Sequence, residues 1–105
     1  KNFDLTYFLN LLHNIPAQVG VLDAELTQFL DRPFTHLDPI ELTILRIAIY
    51  EFKSSFDVPF RVVIHEAVEL AKVFGAIDSF KFVNSVLDKC PRIYRPNEVL
   101  NYAAS

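Results

Sequence analysis

The sequence DPIELTILRIAIYEFK at residues 38–53 carries the clearest structural signal in this chain of 105 residues. Asp38 can accept hydrogen bonds from free backbone N–H groups, Pro39 suits a first helical turn, and Glu41 completes a D-x-x-E capping box. The helix predicted from Ile40 to Lys53 is apolar on almost every side, at Ile40, Leu42, Ile44, Leu45, Ile47, Ala48, Ile49 and Phe52. A helix without a wide polar face has to be surrounded by other helices. We therefore predict an all-α fold built around this segment.

Helical periodicity extends outward from the central segment in both directions. Further helices are predicted over residues 3–15, 18–30 and 58–74, and from Asp78 or Ser79, as the cap, to Pro91. The inward residues of the last two are predicted to be Val63, Ala67, Leu70, Ala71 and Phe74, then Phe82, Val83, Val86 and Leu87. Gly75 is expected to end its helix in the left-handed conformation. The prediction is a compact bundle of about five helices, one domain over residues 1–105 with residues 91–105 as its tail.

Composition and charge favour an intracellular protein that binds another protein. The chain has 10 basic and 13 acidic residues and a formal charge of −3, whereas a self-sufficient nucleic-acid binder usually has a basic excess. Cys90 is the only cysteine, so no internal disulfide can form, and a reducing cytoplasm fits best. No apolar run approaches the ~18 residues that a membrane span needs. We therefore expect a cytoplasmic protein without a membrane segment.

The sequence offers no catalytic, metal or cofactor site. His13, His36 and His65 fall on separate elements, without cysteine or carboxylate at metal-ligand spacing. His65 and Glu66 begin an H-E-x-x-H pattern, but a glutamate stands at position 69, where the second histidine is needed. Glycine-rich phosphate loops and G-x-S-x-G motifs are missing as well. We predict that the chain is not an enzyme and binds no cofactor.

Several segments, in order along the chain, resemble one known family. They are LRIAIYE at residues 45–51, VPF at 58–60, IHEAVELAK at 64–72, FGA at 74–76, DSFKFVN at 78–84 and VLDK at 86–89. Together they are similar to the NusB family of transcription antitermination factors, and the similarity extends back to Tyr7 and Phe8. Departures from the family pattern are mild: His65 stands for asparagine, Phe60 for tyrosine, Ser85 for glycine, and Phe80 often for histidine.

The front of the chain departs more strongly from the family. NusB-like proteins begin with two further helices, the first of them rich in arginine and central to RNA binding. The sequence contains no methionine, which indicates that residues native to the N-terminus have been removed. The resemblance then predicts weaker RNA binding and exposed apolar residues on the first helix here, and such a surface favours association into a homodimer.

The resemblance implies a set of partners. NusB-type factors pair with NusE, a small-subunit ribosomal protein, and bind the boxA element of rRNA-type transcripts in the RNA polymerase elongation complex. We therefore expect an RNA–protein adaptor that supports rRNA transcription. Two alternatives stay open: the RNA-binding NusB-like domain of an RNA cytosine methyltransferase, and an adaptor that contacts proteins alone.

The resemblance also implies an RNA surface. Asp78, Lys81 and Phe82, at the head of the last helix, match the family's RNA-binding positions, and Lys89 lies about two turns further along. Three of these four residues have a simpler alternative. Asp78 suits a helix cap, Phe82 has the spacing of a core residue, and Lys81 is a lysine of a kind common on solvated surfaces.

For the protein partner we favour the central helix, with Glu41, Arg46 and Glu51. Arg46 is a lone charge in an apolar segment, and its alternative is an internal salt bridge to Glu51 or Glu69. Glu41 has the capping box as its alternative role.

Overall fold

A computed structural model describes residues 13–104, and over this range the chain is helical without any strand. Six α-helices are connected by short segments: α1 Val19–Thr27, α2 Pro39–Ser54, α3 Phe60–Phe74, α4 Ser79–Leu87, α5 Pro91–Tyr94 and α6 Pro96–Ala104. Single 3₁₀ turns lie at Pro16–Gln18 and Phe34–His36. The all-α prediction is confirmed. Most of the helix predicted over residues 3–15 lies outside the described residues, as does the apolar surface from which a homodimer was inferred.

Helix α2 begins with the capping box that the sequence predicts. The backbone N–H of Glu41 donates to Asp38 Oδ1 at 2.7 Å, and the N–H of Asp38 donates to Glu41 Oε1 at 3.3 Å. Both arms satisfy N–H groups that a helix start otherwise leaves without partners. The helix packs against α1, α3, α4 and α5, as its apolar circumference requires.

The core is formed by the sides of α1, α3 and α4 that face α2. Its fully buried residues of largest volume are Phe52, Leu22, Leu26, Leu45, Ile49, Leu87, Val63, Val83 and Cys90. Three of the apolar positions named on α2 differ: Leu42 and Ile47 are half-buried and Ile40 is exposed. Within the described residues, then, α2 buries most of its circumference but not all of it. None of the described helices is long and apolar enough to cross a membrane.

The end of α3 corrects two predictions. Phe74 and Leu70, both predicted to face inward, are 63% and 36% exposed. Gly75 is not left-handed: its φ is −85° and its ψ 170°. A Cβ on Gly75 would lie 2.7 Å from the carbonyl oxygen of Ala71 and 3.0 Å from Ser79 Cβ. A Cβ is excluded mainly by the Ala71 carbonyl at the end of α3, and the approach of Ser79 adds to the crowding. The left-handed residue is Asp78, with φ 69°.

The predicted tail is an ordered part of the fold. Arg95, between α5 and α6, is only 4% exposed. Its guanidinium donates five hydrogen bonds, to the carbonyl oxygens of Glu51, Phe52, Ser55 and Val58 and to Glu98 Oε1. These bonds match the five N–H donors of an arginine and satisfy carbonyls at the end of α2.

Glu98 extends this arrangement to the next helix. Its Oε2 accepts the backbone N–H of Phe60, the first residue of α3, at 2.6 Å. A carboxylate at a helix start is favourable because it meets free N–H groups and the positive end of the helix dipole. Arg95 and Glu98 together therefore join the end of α2 to the start of α3.

The first prediction concerns Arg95. Arg95→Met is expected to lower the free energy of unfolding by about 3–5 kcal/mol, because it leaves buried carbonyls and Glu98 without their partner. The measurement is urea unfolding followed by circular dichroism. Arg92→Met, at an exposed position on α5, serves as the matched control and should change stability by about 0.5 kcal/mol or less. Equal losses in the two variants would contradict the structural role of Arg95.

Candidate nucleic-acid interface

The start of α4 brings together three of the four residues predicted to contact RNA. Asp78, in the left-handed conformation just before the helix, makes no side-chain capping bond. The predicted cap at Asp78 is therefore wrong for its side chain. Its carboxylate instead lies 3.4 Å from Lys81 Nζ, with the two side chains 62% and 68% exposed. An exposed ion pair of this kind contributes little stability, so both groups can exchange it for another partner at small cost.

The turn that carries Asp78 is fixed from inside. Ser79 is 5% exposed, and its hydroxyl donates to Glu41 Oε2 at 2.8 Å. On its other side, Gly75 leaves just enough room for the Ser79 side chain. The exposed pair Asp78 and Lys81 thus projects from a turn that is anchored to the start of α2.

Phe82 is neither fully buried nor open on its outer side. The ring is half-buried against the core, which agrees in part with its inward prediction. The guanidinium of Arg32, from the segment after α1, lies over the ring with Cζ 3.9 Å from the ring centroid. Sequence reasoning missed Arg32, since no local spacing relates it to Phe82.

Lys89, just after the end of α4, contacts the segment that carries Arg32. Its Nζ donates to the carbonyl oxygen of Phe29 at 3.1 Å, just after the end of α1. Phe82 and Lys89 therefore both touch the segment that follows α1, roughly two helical turns apart. Asp78 and Lys81 pair with each other, while Phe82 and Lys89 contact the segment after α1 through Arg32 and the carbonyl of Phe29.

Phe80 adds a second aromatic ring with cations nearby. Its partly buried ring has Lys72 Nζ at 5.3 Å and Lys81 Nζ at 6.0 Å from the centroid. These distances are at the outer limit of a cation–π contact. Lysine charge is thus concentrated beside the aromatic residues of α4.

The residues predicted to contact a protein partner are engaged within the chain. Glu41 is 7% exposed and both its carboxylate oxygens accept hydrogen bonds, so its predicted alternative role in the capping box is confirmed. Glu51 is half-buried, and its carbonyl accepts a bond from Arg95. A partner role for either residue stays a prediction.

Arg46 forms an internal salt bridge, but with neither of the predicted partners. Its Nε and Nη2 donate to the two carboxylate oxygens of Asp23 on α1, each at 2.7 Å. This bidentate hydrogen bonding raises the pKa of Arg46 above its ordinary value. Both side chains are 23% exposed, so the pair lies at the edge of the core, where α1 meets α2.

A second polar cluster joins the same two helices to α5. Glu25 on α1 accepts hydrogen bonds from Lys53 on α2 and from the hydroxyl of Tyr94. Burial alone would raise the pKa of Glu25, but the bonds from Lys53 and Tyr94, with the lysine charge, outweigh it and lower the pKa. The cluster keeps Glu25 ionised and secures α1 against the core.

Reactive chemistry is lacking in the described part of the chain. Cys90 is fully buried, and burial raises the pKa of its thiol to about 12, so it carries no thiolate at neutral pH. Among residues 13–104, no group of three or more histidine, cysteine or acidic side chains could hold a metal ion.

Comparison with known proteins identifies the class to which this fold belongs. The NusB family model matches residues 1–92. A transcription antitermination protein NusB of Colwellia psychrerythraea is 48% identical over 98 residues, which cover 93% of this chain and 71% of the relative. The NusB proteins of Idiomarina loihiensis and Pseudomonas entomophila are each 52% identical, over 89% and 94% of this chain and 67% and 60% of their own lengths.

The chain belongs to the NusB family. The resemblance deduced from the sequence is confirmed, and with it the prediction that the chain is not an enzyme, because these relatives are named as transcription antitermination proteins. The matches span about two thirds of the relatives' own lengths.

The bond between Ser79 and Glu41 generates the second prediction. Ser79→Ala leaves a buried carboxylate oxygen without its donor and should cost about 1–3 kcal/mol of stability. Ser85→Ala, at an exposed position of the same helix, is the matched control, with an expected change within about 0.5 kcal/mol. Urea unfolding of both variants is the measurement. A Ser79 variant as stable as the control would mean that the bond does not anchor the turn.

The third prediction concerns Arg46 and Asp23. In a double-mutant cycle with Arg46→Met and Asp23→Asn, we expect a coupling energy of about 1–2 kcal/mol, because the pair is bidentate and partly shielded from water. Lys72 and Glu69, an exposed pair on α3, give the control cycle, with an expected coupling below about 1 kcal/mol. Equal coupling in the two cycles would count against a structural role for the Arg46 pair.

Proposed function

We propose that this chain acts in transcription antitermination by binding boxA-type single-stranded RNA together with NusE, and so supports rRNA transcription by the RNA polymerase elongation complex in the cytoplasm. Family membership and the names of relatives about half identical to it support the general role. The observation that carries the RNA part is the exposed pair Asp78 and Lys81 beside Phe82, at the start of α4. The methyltransferase alternative has no comparable support among these relatives.

The surface around α4 has the chemistry that single-stranded RNA requires. Unpaired bases are held by stacking on aromatic or guanidinium planes, and the backbone by cations. Lys81 can release Asp78 and meet a phosphate, since their exposed ion pair contributes little. Asp78 can then accept a hydrogen bond from the amino group of a base. In its left-handed conformation, Asp78 keeps this carboxylate exposed. In a capping aspartate, the carboxylate would instead accept hydrogen bonds from the N–H groups of its own helix.

The charge of the chain supports the requirement for a protein partner. Its formal charge of −3 opposes the approach of RNA, and the cations that border α4 can reach only a few phosphates. A second protein that contributes its own RNA contacts raises the affinity by linking two binding events. NusE is the proposed partner, and the exposed edges of Arg46 and Glu51 on α2 are the proposed contacts. Glu41, predicted with them, is buried and has both carboxylate oxygens engaged within the chain, so it is left out of the proposed contacts.

The fourth prediction tests the RNA surface. Lys81→Ala should weaken binding of a boxA-type single-stranded RNA and reduce the slope of log Kobs against log salt by about 0.7, the value for one phosphate contact on a single strand. Fluorescence anisotropy at several salt concentrations measures both quantities. Arg92→Ala removes the same charge from α5 and is the matched control.

The control separates a local contact from net charge. A slope that falls by the same amount in both variants would mean that only the total charge matters and that Lys81 meets no particular phosphate. If both variants bind RNA as tightly as the unmodified chain, the proposal that RNA binds at α4 is contradicted.

A further inference from the structure

Among the described contacts, Arg32 is the cation that lies over the ring of Phe82. The distance of 3.9 Å from Cζ to the ring centroid is that of a stacked guanidinium. Phe82 supports the inner face of the group, and its own ring is partly buried in the core. The Arg32 side chain is 42% exposed, so the guanidinium remains accessible from solvent.

The backbone holds Arg32 in this position from two sides. Pro33 follows it, and a residue before proline is biased towards an extended conformation. Lys89 donates to the carbonyl of Phe29, which secures the segment after α1 against the end of α4. The Arg32 side chain therefore reaches Phe82 from a restrained loop, and less conformational entropy has to be lost when a ligand binds.

The N–H groups of Arg32 are weakly engaged in the described contacts. Its ion pair with Asp31 measures 3.9 Å from Nε to Oδ1, too long for a hydrogen bond, and the Asp31 side chain is 72% exposed. A guanidinium with a supported inner face can stack a base on its outer face, and its edge can donate to a phosphate.

We propose that Arg32 is an RNA-binding residue, and that a base of the single-stranded RNA stacks on its guanidinium to form a Phe82–Arg32–base layer. This inference rests on the proposed RNA-binding function and names a contact that the α4 residues alone do not supply. Direct stacking of a base on the outer face of Phe82 is blocked while Arg32 occupies it. Phe82 thus acts through Arg32 as a positioning residue, and Lys89 positions the loop that carries Arg32.

Arg32→Lys tests the proposal, because it keeps the charge and removes the planar face. In the full chain, this variant should bind a boxA-type single-stranded RNA about tenfold more weakly at every salt concentration, with the slope against log salt unchanged. Arg92→Lys is the same substitution at an exposed position on α5 and should leave the affinity unaltered. Thermal melts establish that both variants are folded.

RNA with single abasic nucleotides identifies the base. When these RNAs are titrated with the unmodified chain, an abasic nucleotide at one position should lower the affinity about tenfold. With that RNA, Arg32→Lys should cause no further loss. Such coupling supports a base on the guanidinium. Additive losses at every position would overturn it, because Arg32 would then act independently of any base.

Arg32→Ala distinguishes two roles: a platform, on which Arg32 stacks a base, and a cover, with which Arg32 blocks a base from stacking on Phe82. A platform predicts weaker binding and a smaller salt slope, whereas tighter binding would show that Arg32 covers a stacking surface on Phe82, and would overturn the proposal. If Lys81→Ala weakens binding but Arg32→Lys binds like the unmodified chain, this inference fails while the proposed function stands. If the unmodified chain binds no RNA, with or without its protein partner, both fail.

Discussion

The hydrogen bond from the Ser79 hydroxyl to Glu41 Oε2 is the contact on which the position of the α4 surface depends. A capping box is ordinarily a local device within one helix start. Here Oε1 of Glu41 serves the box, and Oε2 reaches α4. The buried carboxylate thereby joins the start of the core helix to the turn that carries Asp78. Gly75 completes the junction, since a side chain there would clash with the Ala71 carbonyl oxygen and crowd Ser79.

Charged groups at the edge of the apolar core hold the remaining elements. Arg95 satisfies carbonyls at the end of α2, Glu98 meets the start of α3, and Arg46 joins α2 to α1 through Asp23. Helix ends carry backbone groups without intrahelical partners, and burying them costs energy unless a side chain satisfies them. These charges lie at junctions between helices. Their directional hydrogen bonds fix how the helices are placed against one another, which hydrophobic burial alone would specify less closely.

Predictions from sequence succeeded where the signal is local. The capping box at Asp38 and Glu41 and the apolar circumference of α2 are patterns within one segment, and both identified the core helix correctly. The contacts missed by this reasoning join residues far apart in the chain. Arg46 was expected to pair with Glu51 or Glu69, but its partner is Asp23, because the packing of α1 decides which carboxylate is nearest.

The same limit applies to the candidate site. The residues proposed on α4 came from a resemblance to a family, and the pattern of the sequence alone would not have selected them. Arg32 could not be found in this way, since its role follows from the ring beneath it. Gly75 was predicted to be left-handed, but the left-handed residue is Asp78. Glycine fits at position 75 because a Cβ there would clash with the Ala71 carbonyl oxygen and crowd Ser79. Steric demands between helices leave no mark in the periodicity of either one.

The cations that border α4 differ in what they are free to do, and this has a consequence for the proposed function. Lys89 is held by a backbone carbonyl and Arg32 by an aromatic ring. Lys81 and Lys72 lie in exposed ion pairs with Asp78 and Glu69, so these two lysines are the most readily redirected. A surface with so little mobile charge gains little from the phosphate backbone, which every RNA sequence presents alike. Its discrimination would rest on the bases, through stacking on Arg32 and the carboxylate of Asp78. For an acidic chain, that arrangement favours selectivity over affinity and leaves the affinity to a second protein.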